Sequence, residues 1–255
     1  MFIRNESFES FIKSYKVVTT LVLIHIFFYI WLDWFPFLGG EEIRFLGVGQ
    51  NIMIAMGEYW RIITPIFLHG GLMHMLFNSF SLVLFGPALE SMLGRTRFII
   101  AYLSTGILAN IAYFFLGDDL RSHLGASGAI FGLFGIYVYM VLVRKDLIDQ
   151  ANSQLVMTIV VLGVIMTFIN PGINILAHIF GLISGMVIAP LVLTGVRQFQ
   201  QQRPIHDPDN IGFDPNRWKR RAKLKKYLVF YIVGALAIMI AFFWFVSTFL
   251  LPQLY

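Results

Sequence analysis

"GASGAIFG", residues 125–132, opens an apolar run that continues without a charge to Val143. A run of that length reads as a helix in apolar surroundings. Gly128 and Gly132, four apart, form a small-residue strip on which a second helix can lie close. One hydroxyl, Ser127, stands at the mouth of this run. It serves either helix packing or nucleophilic chemistry, and the rest of the chain has to separate the two.

Six more apolar segments flank this one, near 17–35, 72–89, 98–116, 154–169, 174–195 and 227–251. A membrane-spanning helix needs about 20 residues, within a range of roughly 17 to 25. Segment 154–169 is the shortest of the seven and 227–251 the longest. Of the 255 residues 58% are hydrophobic and 13% charged, whereas a soluble domain carries roughly 25% charge. Mean hydropathy is +0.75. These features predict an all-α polytopic membrane protein. The absence of cysteine excludes disulfides, a cysteine nucleophile and cysteine metal sites. The first apolar segment is too long for a signal-peptide core. It is followed by "DWFPFLGG" (33–40) rather than a small-x-small cleavage site, so it is expected to remain as a span.

Sixteen of the nineteen Lys and Arg fall on one side if the N-terminus is cytoplasmic; only Arg44, Arg61 and Arg121 fall on the other. By the positive-inside rule the N-terminus is expected inside and the C-terminus outside. The expected organisation is a short cytoplasmic segment (1–16), a six-span core (17–195), a basic cytoplasmic linker (196–226), and a seventh span with an outer C-terminus (227–255). The linker's basic end suits anionic lipid better than nucleic acid. The long outer loop 36–71 is not simply polar. Its "EYWRIITPIFLHGG" (58–71) mixes Arg61 with aromatic and aliphatic residues, so it is expected to lie in the interface or dip into the protein.

An ionisable group inside a span is unfavourable by about 2.5–3.5 kcal/mol for Asp, Lys or Arg, so each polar residue there needs a reason. His74 and Asn78 are four apart and share a helix face, with His69 in the loop before them. His178, Gly181 and Gly185 fall within about 60° of one another at 100° per residue. Each alone can be interhelical hydrogen bonding. On the expected orientation, however, Ser127, His178, His74 and Asn78 all lie at one depth near the outer surface, on three different spans. Acyl transfer fits that constellation. A serine hydroxyl needs an adjacent base, and His178 can take its proton and return it to the leaving amine. His74, the Asn78 amide and the Ser127 N–H are candidate oxyanion donors. No Asp or Glu stands out as a third member, so a dyad is the economical reading. Phe131, four residues after Ser127, can orient the histidine by stacking.

The chain resembles the rhomboid intramembrane serine proteases. The resemblance rests on "WR" (60–61), "HGGLMHMLFN" (69–78), "GASGAIFG" (125–132) and "AHIFGLISG" (177–185), in order and on the expected spans, across about 17–195. It implies a six-helix rhomboid core with a seventh C-terminal helix. It implies Ser127 as nucleophile, His178 as base, and His74 and Asn78 at the oxyanion positions. Gly125 matches the glycine shaping the loop before the serine, and Gly181 and Gly185 the close-packing glycines below the base. Trp60, Arg61 and Glu90 match structural positions. Many relatives carry Tyr where this chain has Phe131. The resemblance implies no cofactor or metal. The partners it implies are transmembrane protein substrates and the lipid bilayer, with no nucleic acid, and the setting expected is a bacterial plasma membrane. Two other classes compete. One is a metallohydrolase using His69, His74 and His178. The other is a non-catalytic rhomboid-like protein that binds transmembrane helices. His25 is expected to be a packing residue, His123 a weak competitor for the base, and His206 too remote.

Overall fold

The computed structural model describes residues 1–199 apart from Ile3, Asn5 and Pro171, so most of the basic linker, His206 and the expected seventh span lie outside the described residues. The described elements are helices α1 (Phe8–Ser14), α2 (Lys16–Trp34), α3 (Gly40–Gly47), α4 (Asn51–Ala55), α5 (Leu72–Leu93), α6 (Arg95–Leu116), α7 (Ser127–Leu142), α8 (Gln150–Ile169) and α9 (Ile175–Val192), with short 3-10 turns between some of them. Helices α2, α5, α6, α8 and α9 are long and apolar enough to cross a membrane. The protein is an all-α polytopic membrane protein.

Helix α7 is the exception in length, at 16 residues. At 1.5 Å per residue it spans about 24 Å, less than a hydrocarbon core of about 30 Å. Its position explains the shortfall. Twelve of its 16 residues are buried, and it packs against α5, α6, α8 and α9. A helix enclosed by protein has no need to match the lipid. The small-residue strip makes the tightest contact. A Cβ on Gly181 would run into the Gly128 carbonyl, and one on Gly185 into the Gly132 carbonyl, so α7 and α9 meet backbone to backbone and run in the same direction.

The segment read as the shortest span proves longer. Helix α8 has 20 residues because Asp149 caps its start, its side chain accepting from the Asn152 N–H. The polar first turns, which hydropathy excludes, are therefore helical. Only Val156, Val160 and Thr167 of this helix are buried.

Pro87 interrupts α5. It has no N–H for the Val83 carbonyl, and its ring crowds that carbonyl. The Arg4 guanidinium donates instead to the Val83 oxygen at 2.7 Å and to the Leu84 oxygen at 3.1 Å, while the Tyr137 hydroxyl donates to the Phe85 oxygen at 2.6 Å. Phe2 sits edge-on to Phe85 and Tyr137 just beside this repair. Three residues beyond Pro87, Glu90 accepts from the N–H groups of Val17 and Val18, both at 2.9 Å. These belong to the first turn of α2, which has no side-chain cap of its own.

The loop 36–71 folds into α3, α4 and 3-10 turns rather than lying slack. Arg61 is 1% exposed. It donates to the carbonyls of Phe45 (2.6 Å) and Val48 (2.9 Å), pairs with Glu58, and lies over the Phe45 ring. Trp60 donates to the Leu46 carbonyl at 3.0 Å. Asn51 donates to the carbonyls of Tyr113 and Phe114 in the last turn of α6. A two-way bridge between Gly49 and His123 helps tie this loop to the segment leading into α7.

Candidate active site

Ser127 is the first residue of α7, preceded by buried Ala126 and by Gly125 at φ +135°. That φ is open to glycine and strained for any other residue. The Gly125 N–H is held by the Pro65 carbonyl at 2.9 Å. A Cβ on Gly125 would lie 2.7 Å from His74 Nε2 and 3.7 Å from Ser127 Oγ. His74 and the serine hydroxyl therefore face one small space that only a glycine leaves open. Ser127 is half-buried rather than sealed in the core.

His178 lies one turn into α9 and is 7% exposed. Its ring stacks on Phe131, centroids 4.1 Å apart and planes 18° from parallel. Phe131 is one turn along α7 from Ser127, so the stack sets the imidazole on the face that carries the serine. Phe131 rests in turn against Gly163 of α8, where a Cβ would be 3.2 Å from its ring. His178 Nδ1 lies 2.7 Å from the Thr167 hydroxyl. Among the described residues no hydrogen bond joins Ser127 Oγ to His178; such contacts are often long without substrate.

Asn78 is buried one turn below His74 and donates one amide N–H to the His74 carbonyl at 2.8 Å. Of the remaining described histidines, His69 touches this group through His74. His69 is fully buried between His25 and His74, with ring centroids 4.7 and 5.2 Å away. His25, expected to pack, also meets the Tyr102 hydroxyl at 3.3 Å. His123 turns to Tyr113, 4.3 Å between centroids, and fills the space above Gly49. Among the described residues no group of three His, Cys, Asp or Glu can hold a metal ion, so the trio His69, His74 and His178 gains no support. Sequence reasoning missed Thr167. A lone threonine in "MTFIN" looks like any weakly polar residue of a span, and only the packing of α8 on α9 reveals its partner.

A serine at a helix start, a histidine stacked on the ring one turn along that helix, and a second imidazole facing the serine hydroxyl stand together inside a helical membrane bundle. The rhomboid domain family matches residues 56–195. The chain is 45% identical over 189 residues to YdcA of Bacillus subtilis (strain 168), which is named for the rhomboid proteases; the match covers 74% of this chain and 94% of that one. It is 36% identical over 149 residues to the rhomboid protease GluP of the same organism, covering 58% of this chain and 29% of that one. Over 143 residues it is 32% identical to rhomboid-like protease 2 of Toxoplasma gondii, covering 54% and 50%. The chain belongs to the rhomboid family of intramembrane serine proteases.

Proposed function

We propose that the protein cleaves transmembrane segments of other membrane proteins with a Ser127–His178 dyad, through an acyl-enzyme, near the outer face of a bacterial plasma membrane. The stack of His178 on Phe131 carries this reading, because it holds an imidazole one turn along α7 from Ser127, on the helix face that carries the serine. As Ser127 Oγ attacks the scissile carbonyl carbon, its proton passes to His178 Nε2 and then to the leaving amine. Water, activated by the same nitrogen, hydrolyses the ester and restores the serine. The oxyanion is met by the Ser127 N–H, the Asn78 amide and His74, in the field of the α7 N-terminus.

A helical substrate has its carbonyls already hydrogen-bonded, so it must unwind before attack. Helix α8, with three buried residues, is the most loosely packed of the spans, and access for the substrate lies past it. The uneven Lys and Arg distribution supports a cytoplasmic N-terminus.

The test is fluorophosphonate labelling of the purified full chain in mild detergent, comparing wild type with Ser127→Ala and His178→Ala. Labelling of wild type alone is expected. Equal labelling of all three would place the nucleophile elsewhere. A folded wild type that neither labels nor cleaves would favour a helix-binding role without catalysis.

A further inference from the structure

The dyad leaves a problem that the geometry answers. A neutral histidine acts as base toward Ser127 only if Nε2 carries the lone pair, which requires the proton on Nδ1. Stacking on Phe131 fixes the plane of the ring but cannot choose between the two nitrogens, since a stacked imidazole looks alike in either tautomer. Something in the ring plane has to choose.

Thr167 lies there. It is fully buried, and its Oγ1 is 2.7 Å from two groups at once, the Gly163 carbonyl one turn back on α8 and His178 Nδ1. A hydroxyl has one proton to give and two lone pairs to receive. The Gly163 carbonyl can only accept, so the threonine proton goes to it. The contact with His178 must then run the other way, with Nδ1–H donating to Thr167 Oγ1. The alternative would put two lone pairs face to face, or would break the bond to Gly163, in a site with no solvent to compensate.

On the reading that Ser127 and His178 form a dyad, we propose that Thr167 is a positioning residue for catalysis. It fixes His178 as the Nδ1–H tautomer and leaves Nε2 as the proton acceptor. It does with a neutral oxygen what a carboxylate does in a triad. A neutral acceptor suits a fully buried position, where an ionised one would be strongly disfavoured. It also ties the base to α8, so the helix past which substrate is proposed to pass carries the group that orients the base.

The experiment compares wild type, Thr167→Ser and Thr167→Val in the full chain, by steady-state cleavage of a transmembrane substrate and by ¹⁵N NMR of histidine-labelled protein. The His178 signals are assigned with His178→Asn. Wild type is expected to show the proton on Nδ1. Thr167→Ser keeps the acceptor and should hold both the tautomer and kcat. Thr167→Val keeps the shape; it should move the proton toward Nε2 and lower kcat about tenfold, on the scale of one neutral hydrogen bond, with KM nearly unchanged. A wild-type His178 protonated on Nε2 would overturn the proposal, as would a valine variant with unaltered kcat and tautomer. If Thr167→Val fails to fold, the wild-type and serine spectra still decide. Should wild type show no cleavage while its His178 carries the proton on Nδ1, the dyad reading fails and with it the catalytic role of Thr167, while its setting of the tautomer stands.

Discussion

At the scale of single residues, the site depends on what is small as much as on what reacts. Ser127→Ala should abolish cleavage while thermal unfolding stays nearly unchanged, because the residue is half-buried and the change removes one oxygen; a cleaving alanine variant would remove Ser127 from the chemistry. Asn78→Ala should lower kcat more mildly, because His74 and the Ser127 N–H remain, and an unaltered kcat would take Asn78 out of the oxyanion role. Gly185→Val places a branched side chain against the Gly132 carbonyl. It should destabilise the protein by at least the roughly 1–3 kcal/mol typical of overpacking, read as a fall in unfolding temperature. The residues that do the proposed chemistry were legible in the sequence, because each is polar or glycine where a span should be apolar. Thr167 was not, because threonine is ordinary in a span and its meaning lies in the orientation of one proton.

At the scale of elements, two repairs stand out. Helix α5 is broken by Pro87 and mended by Arg4 and Tyr137. Arg4→Ala should therefore destabilise the fold by roughly 1.5–3 kcal/mol, the range for hydrogen bonds to charged groups. Arg4→Lys should recover part of this, since an ammonium serves the two carbonyls less well than a fork. The outer loop is clasped at Gly49 and His123. Burial pushes the His123 imidazole from 6.5 down to about 4, so the folded protein resists a proton that the unfolded chain accepts. The stabilisation from keeping it neutral is complete above pH 6.5 and is lost as pH falls toward 4. His123→Phe should flatten the fall in unfolding temperature over that window, and equal slopes for the two proteins would count against the clasp. The six described spans were readable from hydropathy to within a few residues. The start of α8 was not, because its first turns are polar and held by a cap rather than by apolar burial. Nor was the repair of α5, which joins residues some eighty positions apart.

At the scale of the whole molecule, the six described long helices divide into five that are fit to meet lipid and one, α7, that is not required to. Crosslinking α5 to α8 should stop cleavage of a transmembrane substrate yet leave labelling by a small fluorophosphonate intact; full cleavage in the crosslinked protein would show that substrate does not pass α8. The enclosure of α7 has one more consequence. The proposed nucleophile is borne on a strut mostly enclosed by protein, so its depth is gauged by the protein, whereas a substrate helix has its depth gauged by the bilayer. The enzyme then works as a fixed stylus over a sliding scale. Moving it between membranes of different thickness should shift the cut along the substrate by about one residue for each 1.5 Å of helix displaced, with no change in the enzyme at all.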